Sequence, residues 1–135
     1  MIRSRVLIAD DLPPVLVTVA SLLEDNFDVV AMEADGRAAL SAAIKLEPDL
    51  LVLDISMPIL SGIEVAQELK KLGNRAKIVF LTAHEDADIL RTCHDSGGLG
   101  YVIKLRMDSD LIPAMEEALA GRQFTSCFSS NQETP

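Results

Sequence analysis

Leu50-Leu51-Val52-Leu53-Asp54-Ile55-Ser56-Met57-Pro58 is the stretch on which the fold turns. Aliphatic side chains without alternation, Leu50 to Leu53, are the pattern of a strand covered on both faces. The run ends on a carboxylate, which is expensive inside such a strand and affordable only at its mouth, where water, a cation or a positive side chain can meet it. Pro58 removes a backbone donor and opens a loop. Asp54 is therefore expected at the exit of a central strand.

The neighbouring segments repeat the theme. Val6-Leu7-Ile8-Ala9 is a second apolar run, and it ends on Asp10-Asp11. Pro13 and Pro14 suit the first turn of a helix, where a missing N–H costs nothing, and Val15, Leu16, Val19, Leu22 and Leu23 then share one helical face. A short strand is expected over residues 27–32. A helix begins at Asp35-Gly36 with Ala39, Leu40, Ala43 and Ile44 inward, and it stops ahead of Pro48 because the residue before proline disfavours helix. After the Asp54 strand, 62–72 is helical with Val65, Ala66 and Leu69 inward, and Gly73-Asn74 stops it. Residues 77–81 form a fourth strand ending on Thr82. A helix over about 85–96 places Ile89, Leu90 and Cys93 on one face, and Gly97-Gly98 breaks it. Gly100-Tyr101-Val102-Ile103 is a fifth strand ending on Lys104, with a trans bond expected before Leu105. The last helix spans about 108–120, with Leu111, Ile112, Met115, Ala118 and Leu119 inward and Gly121 closing it.

Five strand–helix units imply a parallel sheet covered on both faces. The expected fold is α/β, a flavodoxin-like (βα)5 doubly wound five-stranded sheet in the order 2-1-3-4-5, with its site beyond the carboxyl ends of strands one and three. Residues 1–121 form the domain. Residues 122–135, rich in Ser, Thr, Asn and Gln, are expected to be a tail or linker.

Bulk composition narrows the function. A chain of 135 residues suits one core, and a net charge of −9 argues against nucleic-acid or anionic-membrane binding by this chain. Cys93 and Cys127 have neither disulfide-framework nor zinc spacing, and no apolar run reaches membrane-spanning length. A cytoplasmic setting follows. Cys93 is expected in the core and His94 on the surface.

The strand exits carry Asp10 and Asp11, Asp54, Thr82 and Lys104. Three acids so close would repel one another, a conflict that a hard divalent cation removes. Magnesium, bound by carboxylates, waters, phosphate oxygens and a backbone carbonyl such as that of Ser56, fits the set. An oxyanion between metal, Thr82 hydroxyl and Lys104 ammonium then points to phosphoryl transfer, with Asp54 the candidate nucleophile.

Over about 120 residues the chain resembles the receiver domain of two-component response regulators. The resemblance rests on Val6-Leu7-Ile8-Ala9-Asp10-Asp11, Asp54-Ile55-Ser56-Met57-Pro58, Leu81-Thr82-Ala83 and Gly100-Tyr101-Val102-Ile103-Lys104. It implies that Asp54 accepts a phosphoryl group from a sensor histidine kinase or a histidine phosphotransfer protein. Asp11, Asp54 and the Ser56 carbonyl would ligate magnesium, with Asp10 acting mainly through a water, and Lys104 would pair with phosphoryl oxygens. Thr82 would swing onto the phosphoryl group and Tyr101 would turn inward, so the face of the fourth helix, fifth strand and fifth helix becomes the output surface, with possible dimerisation there on phosphorylation. Ser56 and His84, two positions after Asp54 and Thr82, resemble the variable family positions that tune hydrolysis of the phosphoryl group. Leu105 departs from the proline common in the family after the lysine. Glu116 to Arg122 resembles receivers that precede a helix-turn-helix DNA-binding domain, so the chain is expected to be either a stand-alone receiver or part of a longer regulator.

Rival readings fare worse. A docking module without phosphate chemistry would be expected to lose one of these groups, and none is lost. A haloacid-dehalogenase-type phosphatase needs a second acid where Ser56 stands. In a flavodoxin the loop after the first strand cradles phosphate, which Asp10-Asp11-Leu12-Pro13-Pro14 would repel.

Overall fold

A computed structural model describes residues 3–126. Its elements are β1 (Arg5–Ala9), α1 (Pro13–Leu23), β2 (Asp28–Glu33), α2 (Gly36–Leu46), β3 (Leu50–Asp54), α3 (Gly62–Lys71), β4 (Lys77–Thr82), α4 (Ala87–Asp95), β5 (Gly100–Ile103), a 3-10 turn (Lys104–Arg106), α5 (Met107–Leu119) and β6 (Phe124–Thr125). The strand order is β2-β1-β3-β4-β5-β6, and every pairing is parallel. The doubly wound sheet is thus as expected over its first five strands.

Alternation along each strand sorts the core into two layers. Leu7, Ala9, Leu51, Leu53, Phe80 and Tyr101 point to one face and pack with Ala39 and Ala43 of α2, Val65, Ala66 and Leu69 of α3, and Cys93 of α4. Val6, Ile8, Leu50, Val52, Val79, Leu81 and Val102 point to the other, against Val19 and Leu23 of α1 and Leu111, Ala114, Met115 and Ala118 of α5. All five residues of β3 are buried, because helices cover both of its faces.

Local chemistry sets the boundaries. Pro13 and Pro14 start α1 without a side-chain cap. Asp35 caps α2, accepting from the Ala38 N–H, and Ser61 with Glu64 forms a reciprocal capping box on α3. The helix expected from residue 85 starts instead at Ala87, because the Asp86 carboxylate accepts from the N–H groups of Asp88 and Ile89 and so acts as its cap. α5 runs through Pro113.

One expectation is corrected. The sheet has a sixth strand, and it comes from the segment assigned to the tail. Phe124 and Thr125 pair with Gly100 and Tyr101 along the outer edge of β5. Two residues are too short to show a period of two, so nothing in their composition marks them as a strand. Residues 127–135, with Cys127, lie outside the described residues.

Two features of the β3–α3 connection hold the mouth of β3. Gly62 packs so closely that an added Cβ would run into the backbone carbonyl of Asp54, and its N–H donates to the Ile55 carbonyl at 2.9 Å. Ile59, exposed in the same loop, sits at φ +74°, a conformation costly for a β-branched residue. Gly62→Ala is therefore expected to destabilise by about 1–3 kcal/mol through overpacking. Ile59→Gly is expected to stabilise by about 1 kcal/mol by relieving strain. Urea denaturation of both variants checks the two signs.

Candidate functional site

The parallel register brings the strand exits together. Ala9 lies beside Leu53, Asp54 beside Leu81, and Thr82 beside Ile103. The next residues along β1 and β5, Asp10 and Lys104, therefore flank the same opening as Asp54. Asp11, Leu12, Asp54, Ser56, Thr82, Ala83, His84 and Lys104 line a cleft of about 220 Å³ there. One water takes up about 30 Å³ of liquid, so this is room for a small oxyanion with its solvation. A larger depression of about 720 Å³ at the opposite end of the sheet is lined by charges of both signs, Glu47, Asp49, Arg75 and Lys77 among them, but among the described residues the acids close enough to share a metal ion are those at the smaller cleft.

Asp10 is wholly buried and Asp54 nearly so, whereas Asp11 is exposed. Oxygen atoms of the three carboxylates lie within 4.8 Å of one another. The Lys104 ammonium is 2.8 Å from Asp10 Oδ2 and 3.4 Å from Asp54 Oδ1. Asp10 Oδ2 is buried, with that ammonium as its charge partner. Asp10 Oδ1 accepts from the Leu12 N–H at 2.9 Å, which fixes the carboxylate plane. Asp54 Oδ1 accepts a long bond, 3.4 Å, from the Ser56 N–H.

The charges are unevenly satisfied. Burial, and then the Asp10 charge, push the Asp54 carboxyl up to about 6, with Lys104 only partly compensating. Burial alone would lower the Lys104 pKa, but the close contact with Asp10 and the charges of Asp54 and Asp10 outweigh it and hold the ammonium above its ordinary value. Three carboxylates therefore face one ammonium. An octahedral cation with oxygen ligands at about 2.0–2.1 Å needs ligand oxygens about 3–4 Å apart, close to the spacing here. The donor set is all oxygen, which fits magnesium.

Thr82 is buried at the end of β4, and its Oγ1 accepts from the His84 N–H at 3.0 Å. Tyr101 is fully buried, with its hydroxyl donating to the His84 carbonyl at 2.9 Å. One residue, His84, thus ties the Thr82 and Tyr101 side chains to the same loop. Asp10, Asp11, Asp54, Ser56, Thr82 and Lys104 converge as the sequence predicts, and Tyr101 sits one layer behind. Cys93 is core, its thiol pushed up to about 12 by burial and so unreactive. His94, expected on the surface, is half-buried with Nε2 inaccessible, because it follows Cys93 on the inward flank of α4.

The family comparison agrees with this geometry. The family model for the response regulator receiver domain matches residues 6–116, and the chain belongs to that family. It is 37% identical over 117 residues to the transcriptional regulatory protein PdtaR of Mycobacterium tuberculosis, covering 86% of this chain and 57% of that protein. It is 32% identical over 126 residues to a nitrate/nitrite response regulator protein homolog of Haemophilus influenzae, covering 92% and 61%. Among solved structures, a LuxR-family two-component response regulator from Aurantimonas sp. superimposes with a TM-score of 0.88 at 29% identity, covering 98% of this chain and 95% of that one. The isolated receiver domain of RcsB from Salmonella enterica, solved with a phosphomimetic beryllofluoride, gives 0.84 at 30% identity, covering 93% and 94%. The chain spans 57–62% of the length of the first curated relatives it matches. Among the described residues no helix is long and apolar enough to cross a membrane.

The raised Asp54 pKa fixes the sign of a pH effect. Its ordinary value is 3.8 and its folded value about 6, so folding favours the neutral acid. The stability this group contributes is complete below about pH 4 and is lost as pH rises through about 6. Ionising it in the fold costs on the order of 2 kcal/mol at neutral pH. Asp54→Asn is thus expected to raise the melting temperature in magnesium-free buffer at pH 7.5 by about 3–8 °C. That gain should shrink towards pH 4 and on adding magnesium to both proteins, and calorimetry across pH 4–8 reads it.

Proposed function

We propose that this receiver is a phosphorylation switch in which Asp54 takes a phosphoryl group from a phosphohistidine on a sensor histidine kinase or a histidine phosphotransfer protein. The observation that carries this reading is the placement of a desolvated carboxylate and a half-buried ammonium, 3.4 Å apart, at one strand exit beside two further acids. A carboxylate poorly solvated in its ground state is a better nucleophile than one in water.

In the transfer, an Asp54 carboxylate oxygen bonds to phosphorus while the phosphorus–nitrogen bond of the donor imidazole breaks, and the imidazole leaves with that electron pair. With a pKa of about 6, Asp54 is mostly ionised at neutral pH and needs no base. Lys104 is placed to follow the charge, exchanging its contact with Asp54 for one with a phosphoryl oxygen. Thr82 supplies a hydroxyl donor at the opposite rim of the cleft. Asp11, Asp54 and the Ser56 carbonyl would hold magnesium directly, with Asp10 acting mainly through a water. Bound there, the ion would neutralise charge on the phosphoryl oxygens and between the carboxylates. The remaining chemistry is hydrolysis of the aspartyl phosphate, with Ser56 and His84 at the rim positioned to influence the entry of water.

Output follows from the tie through His84. If Thr82 turns towards the phosphoryl group it gives up the His84 N–H, and the loop that also anchors Tyr101 must readjust. The face of α4, β5 and α5 is then the surface whose packing the modification biases. Transcriptional regulators among the relatives support an output of that kind, in a cytoplasmic setting and through a domain or partner beyond residues 1–121. Dimerisation on that face is part of the same reading.

Intact mass after incubation with acetyl phosphate tests the switch. A single phosphoryl adduct is expected on the wild type with magnesium, and none without magnesium or on Asp54→Asn. An adduct that persists on Asp54→Asn, or none on the folded wild type with magnesium, would overturn it.

A further inference from the structure

The last described residue, Ser126, is buried although the segment around it is polar. Its N–H donates to the Tyr101 carbonyl at 2.9 Å, one rung beyond the Phe124 N–H bond to the Leu99 carbonyl. In a parallel ladder the next rung would join the Ile103 N–H to the backbone carbonyl of residue 126. The Ser126 hydroxyl occupies that place instead, with Oγ accepting from the Ile103 N–H at 3.1 Å. The same hydroxyl donates to Asp110 Oδ2 at 2.7 Å. The Asp110 carboxylate is itself held at the start of α5 by the Ser109 hydroxyl, 3.1 Å from Oδ1, and by Arg106 Nε, 3.7 Å from Oδ2.

This network encloses the one segment that presents Lys104. Ile103 precedes it, the 3-10 turn of residues 104–106 follows it, and Asp110 closes the turn onto α5. Leu105 inside the turn is 93% exposed and packs against nothing that could steady it. Ile103 is held on one side by its pairing with Thr82 of β4 and by its buried side chain, and on its open side by the Ser126 hydroxyl, which also reaches Asp110 at the far end of the turn. A serine hydroxyl that donates to a carboxylate and accepts from a buried N–H uses both capacities in a single rotamer.

We propose that Ser126 is a positioning residue for Lys104, and that through it the seating of β6 against β5 and the capture of an anion at Asp54 are coupled. The proposal rests on the phosphoacceptor reading of the site. When Lys104 moves from its contact with Asp54 to a phosphoryl oxygen, the Ile103–Lys104 peptide and the turn must adjust, and Ser126 with Asp110 feels that adjustment directly. Coupling between two binding events is reciprocal, so whatever lifts β6 from β5 weakens anion capture by the same factor. The ties at Tyr101 and Ile103 would carry the state of the site to the chain segment that emerges from β6.

Beryllofluoride with magnesium serves as the phosphoryl probe on the full chain, with affinity read by fluorine NMR and amide exchange by mass spectrometry. Wild type is expected to bind, and binding should change the exchange of the Ile103 and Ser126 amides. Ser126→Ala should bind about tenfold more weakly, within the range usual for coupled sites. Ser126→Thr, which keeps the hydroxyl, should recover most of that loss. Leu23→Ala, a cavity at the far end of α1, should lower the melting temperature without changing affinity, which separates positioning from stability. Where Ser126→Ala does not fold, Asp110→Asn and the wild-type exchange carry the test. Unchanged affinity in Ser126→Ala or Asp110→Asn, or unchanged exchange at Ile103 and Ser126 in a wild type that binds, would overturn the coupling. Wild type that fails to bind beryllofluoride at all would overturn the phosphoacceptor reading first and the coupling with it.

Discussion

The molecule is organised by a single ammonium among three carboxylates. Lys104 lies between Asp10 and Asp54 at contact distances of 2.8 and 3.4 Å, and among the described residues no second lysine or arginine lines that opening. Left as it is, the site carries an excess of negative charge in a poorly solvated place, seen in the raised pKa of Asp54. Such an excess is tolerated because it is small against a core of two complete layers, and it suits the cleft to the cation and oxyanion of the proposed function. Stability is lowered locally where the chemistry needs it.

A parallel sheet is what permits this. Every strand exits at the same end, so residues far apart in sequence meet there without any loop having to reach. Asp10, Asp54, Thr82 and Lys104 stand directly at or one step past the ends of four adjacent strands. The backbone of β3 cannot give way, being covered on both faces, and the close packing of Gly62 on the Asp54 carbonyl clamps its exit. The same rigidity would make the proposed switch discrete. His84 holds Thr82 by its N–H and Tyr101 by its carbonyl, so neither side chain can move without the other sensing it.

The edge of the sheet adds a second layer of constraint. β6 covers the outer edge of β5, which would otherwise leave unpaired backbone groups beside the surface proposed for output. It continues through a side chain, the Ser126 hydroxyl, to the turn that carries Lys104. Acid cluster, switch pair and chain exit are therefore linked over a few hydrogen bonds, all of them at one end of β5.

Much of this was legible beforehand, because aliphatic runs, proline and glycine punctuation and polar residues at strand ends are local signals. The unbroken Leu50–Leu53 run implied a strand covered on both faces, and the strand–helix alternation implied the order of the sheet. Residues at four of the strand exits named the candidate site. Other features depend on contacts distant in sequence and left no local mark. Phe124 and Thr125 become a strand only because β5 offers an open edge. His94 is half-buried because of what α4 packs against, and α4 starts at Ala87 because the Asp86 side chain turns back on the helix. By itself, then, the sequence determined the architecture and the identity of the groups at the strand mouths, since both follow from period and punctuation. Tertiary structure alone decided how those groups share charge, which way Tyr101 points and that Ser126 reaches Ile103 and Asp110, since desolvation and hydrogen-bond partnership are properties of neighbours in space.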